Sequence, residues 1–121
     1  MNFLKNNLKP ILFYTFYACL LMFSTIGDFN LFDWDEINFA ESSREMLVSN
    51  NFSQVMINFE PFHEKPPLFF WLQVLSFKIF GVSSFAARFP NALLSIIIPV
   101  LLFKIGSQIK NTTFGLSLIH I

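Results

Sequence analysis

Two groups of charged residues stand between apolar stretches with spacing suited to chemistry at a membrane surface: the acidic pair Asp35-Glu36 and the run Phe62-His63-Glu64-Lys65-Pro66-Pro67. A carboxylate such as Asp35 can serve as a general base or an electrostatic anchor, poised by a nearby cation or metal. Acids in a first helical turn also stabilise the helix by about 0.3 to 1 kcal/mol each, which is the plain structural reading of the pair. Successive helical residues point about 100° apart, so Asp35 and Glu36 would take different roles rather than share one substrate atom.

Lys65 precedes two prolines, which keep its backbone extended and supply a natural first residue for the next helix. An ammonium at a helix N-terminus suits a phosphate, although prolines lack N–H and leave Leu68 and Phe69 as the donors of such a cradle. The same lysine would also serve by snorkelling to lipid phosphates. Glu64 is a candidate ligand for a divalent metal, zinc or another, completed by residues elsewhere, because neighbouring His63 points away from it in an extended segment. Arg88, ahead of Phe89-Pro90, reads either as a phosphate contact or as an interfacial anchor. Arg44 is expected to pair with Glu41 or Glu45.

The elements that position these groups follow from a chain of 121 residues that is 54% hydrophobic and 13% charged, with 18 Phe. That is too apolar for an ordinary soluble domain. A formal net charge of zero gives no nucleic-acid footprint. The single cysteine, Cys19, has no partner for an intrachain disulfide and lies in the first apolar run, packed or facing lipid.

Residues 11–26 form that run, preceded by Lys5 and Lys9, and approach the length of a spanning helix; no small-x-small cleavage site follows, so an uncleaved anchor is expected. All eight acidic residues lie between Asp28 and Pro90, whereas Lys104 and Lys110 come later. The positive-inside rule then predicts a cytoplasmic N-terminus and first transmembrane helix over 1–27 and an external loop over 28–90. A second transmembrane helix follows over 91–109, kinked at Pro99, and a cytoplasmic loop with the start of a third helix occupies 110–121.

Within the external loop, Asp33 followed by Glu36 resembles a capping box opening a surface helix at about 33–49, with Ile37, Ala40 and Leu47 near one face and Asn50-Asn51 at its end. A second helix at about 67–80 is too short to span. Gln73, Ser76 and Lys78 give it a polar component that suits the headgroup layer, the rival reading being a true crossing. The final apolar segment, Phe114 to Ile121, begins and stops, so the chain is read as truncated and His120 is given no functional weight.

The blocks Asp35-Glu36-Ile37-Asn38-Phe39-Ala40-Glu41, Arg44-Glu45-Met46, Phe62-His63-Glu64-Lys65-Pro66-Pro67-Leu68, Phe80-Gly81-Val82 and Ala87-Arg88-Phe89-Pro90-Asn91-Ala92-Leu93 resemble the N-terminal part of bacterial membrane glycosyltransferases. The family is that of the lipid A aminoarabinose transferase and the related protein O-mannosyltransferases. The resemblance implies an all-α membrane protein: the N-terminal portion of a polytopic glycosyltransferase C fold, with transmembrane helices plus two juxtamembrane surface helices. It implies a bacterial inner-membrane location, a polyprenyl-phosphate-linked sugar as donor, and a lipid A, protein or other cell-envelope acceptor. Carried over, Asp35 matches the catalytic acid, Glu36 its partner, Glu64 a metal-linked acidic position and Lys65 a lipid-phosphate contact. Asn38 departs from the pattern, since the aminoarabinose enzymes usually carry arginine there, and Asn91 stands where serine is common. Two or three helices cannot readily enclose a sugar donor, so the isolated chain is expected to be inactive. The competing expectation is a small noncatalytic membrane protein that binds lipid phosphate or a membrane partner through its aromatic surface helices.

Overall fold

The computed structural model describes residues 2–63 and 65–120. Its elements in chain order are α1 (Asn2–Phe23), α2 (Asp35–Ser49), a short antiparallel hairpin of β1 (Met56–Ile57) and β2 (Glu60–Pro61), α3 (Leu68–Phe80), α4 (Ser84–Ile109) and α5 (Thr112–His120). They fall into two compact units, Thr25–Pro90 on one hand and Met1–Ser24 with Asn91–Ile121 on the other.

The Thr25–Pro90 unit is built on α2 and α3. Met46, Val55, Phe70 and Val74 form one buried cluster and Ala40, Phe77, Ala86 and Ala87 another, with Leu47 packed against both. Burying a side chain the size of Phe70 is worth about 1.5–3 kcal/mol. The alanines at 86 and 87 let the start of α4 approach closely enough for polar side chains to bridge the elements. Ser76 Oγ donates to Ala86 O at 2.6 Å, Gln73 Nε2 donates to Ala87 O at 2.9 Å, and Ser43 Oγ donates to Gln73 Oε1 at 2.8 Å.

This overturns the expected role of the α3 polar residues. Gln73 and Ser76 are buried against protein, while Leu68, Leu75 and Ile79 are exposed. The polar face seeks backbone carbonyls and the apolar face is the outward one, as suits a helix whose surroundings are less polar than its protein partners. Lys78 alone remains exposed, its Nζ 4.7 Å from the Phe52 ring centroid. Gly81, at φ 78, ends α3 and donates to Phe77 O at 2.9 Å, a conformation other residues adopt at a cost.

The α2 face also differs from expectation. Ala40 is buried as predicted, but Ile37 is 43% exposed and Glu45 only 1% exposed. Glu45 Oε2 accepts the Phe59 N–H at 2.9 Å, which holds the hairpin turn where Asn58 and Phe59 both have positive φ, as a type I′ turn requires. α2 ends at Asn50 in the left-handed conformation, as the Asn50-Asn51 signal predicts.

α4 begins at the end of the Thr25–Pro90 unit, seven residues before the expected second crossing, because Ser83 caps it: its Oγ accepts from Ala86 N at 3.2 Å. Among the described residues, α4 is the one helix long and apolar enough to cross a membrane; the apolar parts Ile11–Phe23 and Leu68–Phe80 are shorter. Ile26, expected in the first span, lies beyond the end of α1. Tyr14 Oη donates to Ser95 O at 3.2 Å, and α5 starts on Asn111, whose Oδ1 accepts from Phe114 N at 2.8 Å. α4 and α5 meet through glycines: a Cβ on Gly106 would lie 2.8 Å from Gly115 Cα.

Candidate functional site

The first turns of α2 carry the candidate residues Asp35, Glu36 and Asn38. Asp35 is its first residue and is exposed, and Asn38 and Phe39, three and four positions on, share its face of the helix. The connection from the hairpin returns to that face. Lys65 is exposed with its Nζ 5.9 Å from the Phe39 ring centroid, a cation–π distance, and Phe39 is itself fixed by edge contacts with Phe69 and Phe70 at 5.7 and 5.4 Å between centroids. The Lys65 ammonium thus stands beside a ring one helical turn on from Asp35, 30 positions earlier in the sequence. Pro67 is the N-cap residue of α3, so the Pro-Pro step sets where Lys65 leaves the helix.

Glu36 and Arg88 behave differently from the expectation that they act on substrate. Glu36 receives two hydrogen bonds from Arg88, Nε to Oε1 at 2.6 Å and Nη2 to Oε2 at 2.9 Å, and Oε2 also accepts the Phe32 N–H at 2.7 Å. The remaining guanidinium donors reach the carbonyls of Ile26 at 3.0 Å, Phe29 at 2.9 Å and Asn30 at 2.9 Å. All five guanidinium N–H groups are therefore used on protein acceptors, and none is left for a phosphate. The Arg88 hydrogen bonds hold the Glu36 carboxyl below the ordinary carboxylate range; partial burial opposes this and the Phe32 N–H reinforces it.

The predicted Asp33 capping box does not form. The N-cap position is Trp34, at φ 72, with no side-chain capping bond. Glu36 still reaches back to a main-chain N–H, as the acid of a capping box does, but to Phe32, because Arg88 fixes its carboxylate on that side.

Arg44 pairs with Glu41, Nε to Oε2 at 2.8 Å, which holds the Glu41 carboxyl down and the Arg44 guanidinium up; both side chains are more than a third exposed, so the pair contributes little to stability. Glu64 lies outside the described residues. Among the described residues no three His, Cys, Asp or Glu side chains come together as a metal site, and His63 is exposed. Glu45 was legible only as a partner for Arg44; its buried hold on the hairpin depends on Phe59, fourteen residues away, and carries no local signal.

Comparison with known proteins agrees with this architecture. Residues 64–120 match the family model described as dolichyl-phosphate-mannose-protein mannosyltransferase. The undecaprenyl phosphate-alpha-4-amino-4-deoxy-L-arabinose arabinosyl transferase 1 of Proteus mirabilis (strain HI4320) is 40% identical over 80 residues, 66% of this chain and 14% of that protein. An uncharacterized protein of Aquifex aeolicus (strain VF5) is 32% identical over 108 residues, 87% of this chain and 22% of its own length. The crystal structure of ArnT from Cupriavidus metallidurans in the apo state superposes with a TM-score of 0.77 at 24% identity, covering 84% of this chain and 19% of that one. The fold is that of the membrane glycosyltransferases of C type. Within that class the chain is similar to the arabinosyl transferases and to the protein mannosyltransferase family. It spans 14% to 22% of the length of the curated relatives named here.

Proposed function

We propose that this chain is the N-terminal, loop-bearing part of a bacterial inner-membrane glycosyltransferase that moves a sugar from a polyprenyl-phosphate donor to a cell-envelope acceptor, lipid A or protein, on the outer face. The observation that carries the reading is the Lys65 ammonium 5.9 Å from the ring of Phe39, which follows exposed Asp35 by four residues, about one helical turn, in α2. The likeness to arabinosyl transferases supports the donor class.

In this reading the acceptor oxygen attacks the anomeric carbon, the bond from that carbon to the lipid phosphate breaks, and the phosphate leaves with the electron pair. Lys65 neutralises the charge that develops on the departing phosphate. Asp35 takes the proton from a hydroxyl acceptor; an acceptor phosphate is already ionised, and Asp35 then orients it. Asn38 lies on the same face without adding positive charge, which leaves Lys65 as the cation assigned to the phosphate among the described residues. The outward placement of the loop follows from the lysines that flank it in sequence.

The test supplies membranes carrying the full reading frame with one radiolabelled sugar in two forms, linked to polyprenyl phosphate or to a nucleotide. The reading expects transfer from the lipid-linked form without nucleotide; transfer from the nucleotide sugar alone would overturn it.

A further inference from the structure

Arg88 sits in the second turn of α4, yet every hydrogen bond its guanidinium makes is to a segment more than 50 residues earlier. Three carbonyls, of Ile26, Phe29 and Asn30, converge on its Nη atoms, while the Glu36 carboxylate takes the Nε–Nη2 edge as a bidentate pair. The Phe32 ring centroid lies 5.8 Å from Cζ, so the plane of the guanidinium is covered as well. Its side chain is 16% exposed and that of Glu36 28%. The fork thus ties loop 26–32 and the first turn of α2 to one point.

The strained residue of the segment sits between the loop and the acid. Trp34 has φ 72 and ψ −121 and is 85% exposed, so packing of its own side chain does not compensate for that conformation. Such a backbone persists where its surroundings over-determine it, and here the surroundings are the Arg88 bonds to either side: Ile26, Phe29 and Asn30 before Trp34, Glu36 after it. Asp35 is the residue next to both Trp34 and Glu36.

We infer that Arg88 is a positioning residue for Asp35, acting through Glu36 and the 26–32 loop to give the exposed carboxylate one orientation on α2, and that it makes no contact with the donor phosphate. A lysine cannot replace it, because one ammonium cannot supply a planar fork to Glu36 and reach three separate carbonyls. The inference rests on the glycosyl-transfer reading for its catalytic consequence, and on geometry alone for the clamp.

The experiment uses the full reading frame in membranes, native and with Arg88→Lys, Arg88→Ala and Asp35→Ala. It measures donor binding at equilibrium, turnover per donor-binding site, and hydrogen exchange in loop 26–36. For both Arg88 variants the expected result is turnover per site down at least tenfold, on the order of the loss expected for a misplaced catalytic group, with the donor Kd within about twofold of native. The Phe32 amide, which donates to Glu36, should exchange about tenfold faster or more. A Kd that rises while turnover per site is retained would overturn the inference and make Arg88 a phosphate ligand. Fewer binding sites with unchanged turnover per site would also overturn it and leave Arg88 a stabilising residue only. If Asp35→Ala matches the native rate, the transfer reading fails instead; Phe32 exchange then decides the clamp alone, faster exchange in Arg88→Lys sustaining it and unchanged exchange sinking it.

Discussion

Replacing Gln73 by methionine nearly conserves volume while removing the amide that joins three helices. The amide makes two bonds of ordinary length, accepting from Ser43 Oγ of α2 at 2.8 Å and donating to Ala87 O of α4 at 2.9 Å, and the side chain is 2% exposed. Each is worth roughly 1 kcal/mol net, and somewhat less where a membrane supplies the reference state. Neither partner is stranded by the change: Ser43 Oγ keeps a longer bond to Phe70 O at 3.4 Å, and the Ala87 carbonyl lies within helix α4. The expected loss for Gln73→Met is therefore about 1–2 kcal/mol. Gln73→Glu keeps the shape but faces the Ala87 carbonyl with a buried carboxylate, and should cost about 3 kcal/mol or more. Native-state hydrogen exchange on the full-length protein in detergent reads both as local opening of α2 and α3. Exchange of the core amides should rise roughly 5- to 30-fold for methionine and by more than 100-fold for glutamate. Equal, small effects of the two substitutions would refute the argument, because they would mean that the amide is not enclosed between α3 and α4.

The other expectations concern the site and the α4–α5 contact. Asp35→Asn should reduce transfer to a hydroxyl acceptor by about 10²- to 10⁴-fold and transfer to a phosphate acceptor far less; rates measured on one donor with both acceptors check this, and equal losses would sink the distinction between proton transfer and orientation. Lys65→Ala should weaken donor binding and slow departure of the phosphate, with Lys65→Arg retaining more of both, as read from Kd and turnover. The folded-state pKa of Glu36 is depressed, so its contribution to stability is complete above the ordinary carboxylate range and is lost as pH falls through the lowered folded value. The stability difference between the native protein and Glu36→Gln, followed by thermal unfolding from neutral pH down to about pH 3, should accordingly shrink only at the acid end. Gly115→Ala would place a methyl 2.7 Å from Phe103 O and against Ser107 Oγ, so exchange in α5 should quicken despite the better helix propensity of alanine, whereas α2 exchange stays as it was.

Much of the architecture was legible because its signals are local. The Asn50-Asn51 stop, the Pro66-Pro67 step and the length of the apolar runs place α2 and α3 to within two residues of their observed starts and ends. The start of α4 was missed because Ser83 caps a helix whose first turns are packed against α3 and are not part of an apolar run. The polar face of α3 was assigned to the wrong side: composition shows that Gln73 and Ser76 exist, but only the tertiary fold shows that carbonyls of α4 await them. Asp35 and Lys65 were singled out by residue type and sequence context, whereas the approach of Lys65 to the Phe39 ring depends on the tertiary fold. The roles of Glu36 and Arg88 were not, since their pairing spans 52 residues and depends on a loop whose carbonyls carry no sequence signature.

In the proposed reaction Asp35 is the working group, and acidity at the head of α2 in general is not enough. Asp33 provides the comparison, being an exposed carboxylate two residues earlier in the same segment. Sugar transfer from a polyprenyl-phosphate donor to a hydroxyl acceptor should be measured for the full reading frame carrying Asp33→Ala or Asp35→Ala, at matched amounts of folded protein in membranes. Near-native transfer is expected for the first and loss of at least 100-fold for the second; similar rates for the two variants would deny Asp35 a role of its own.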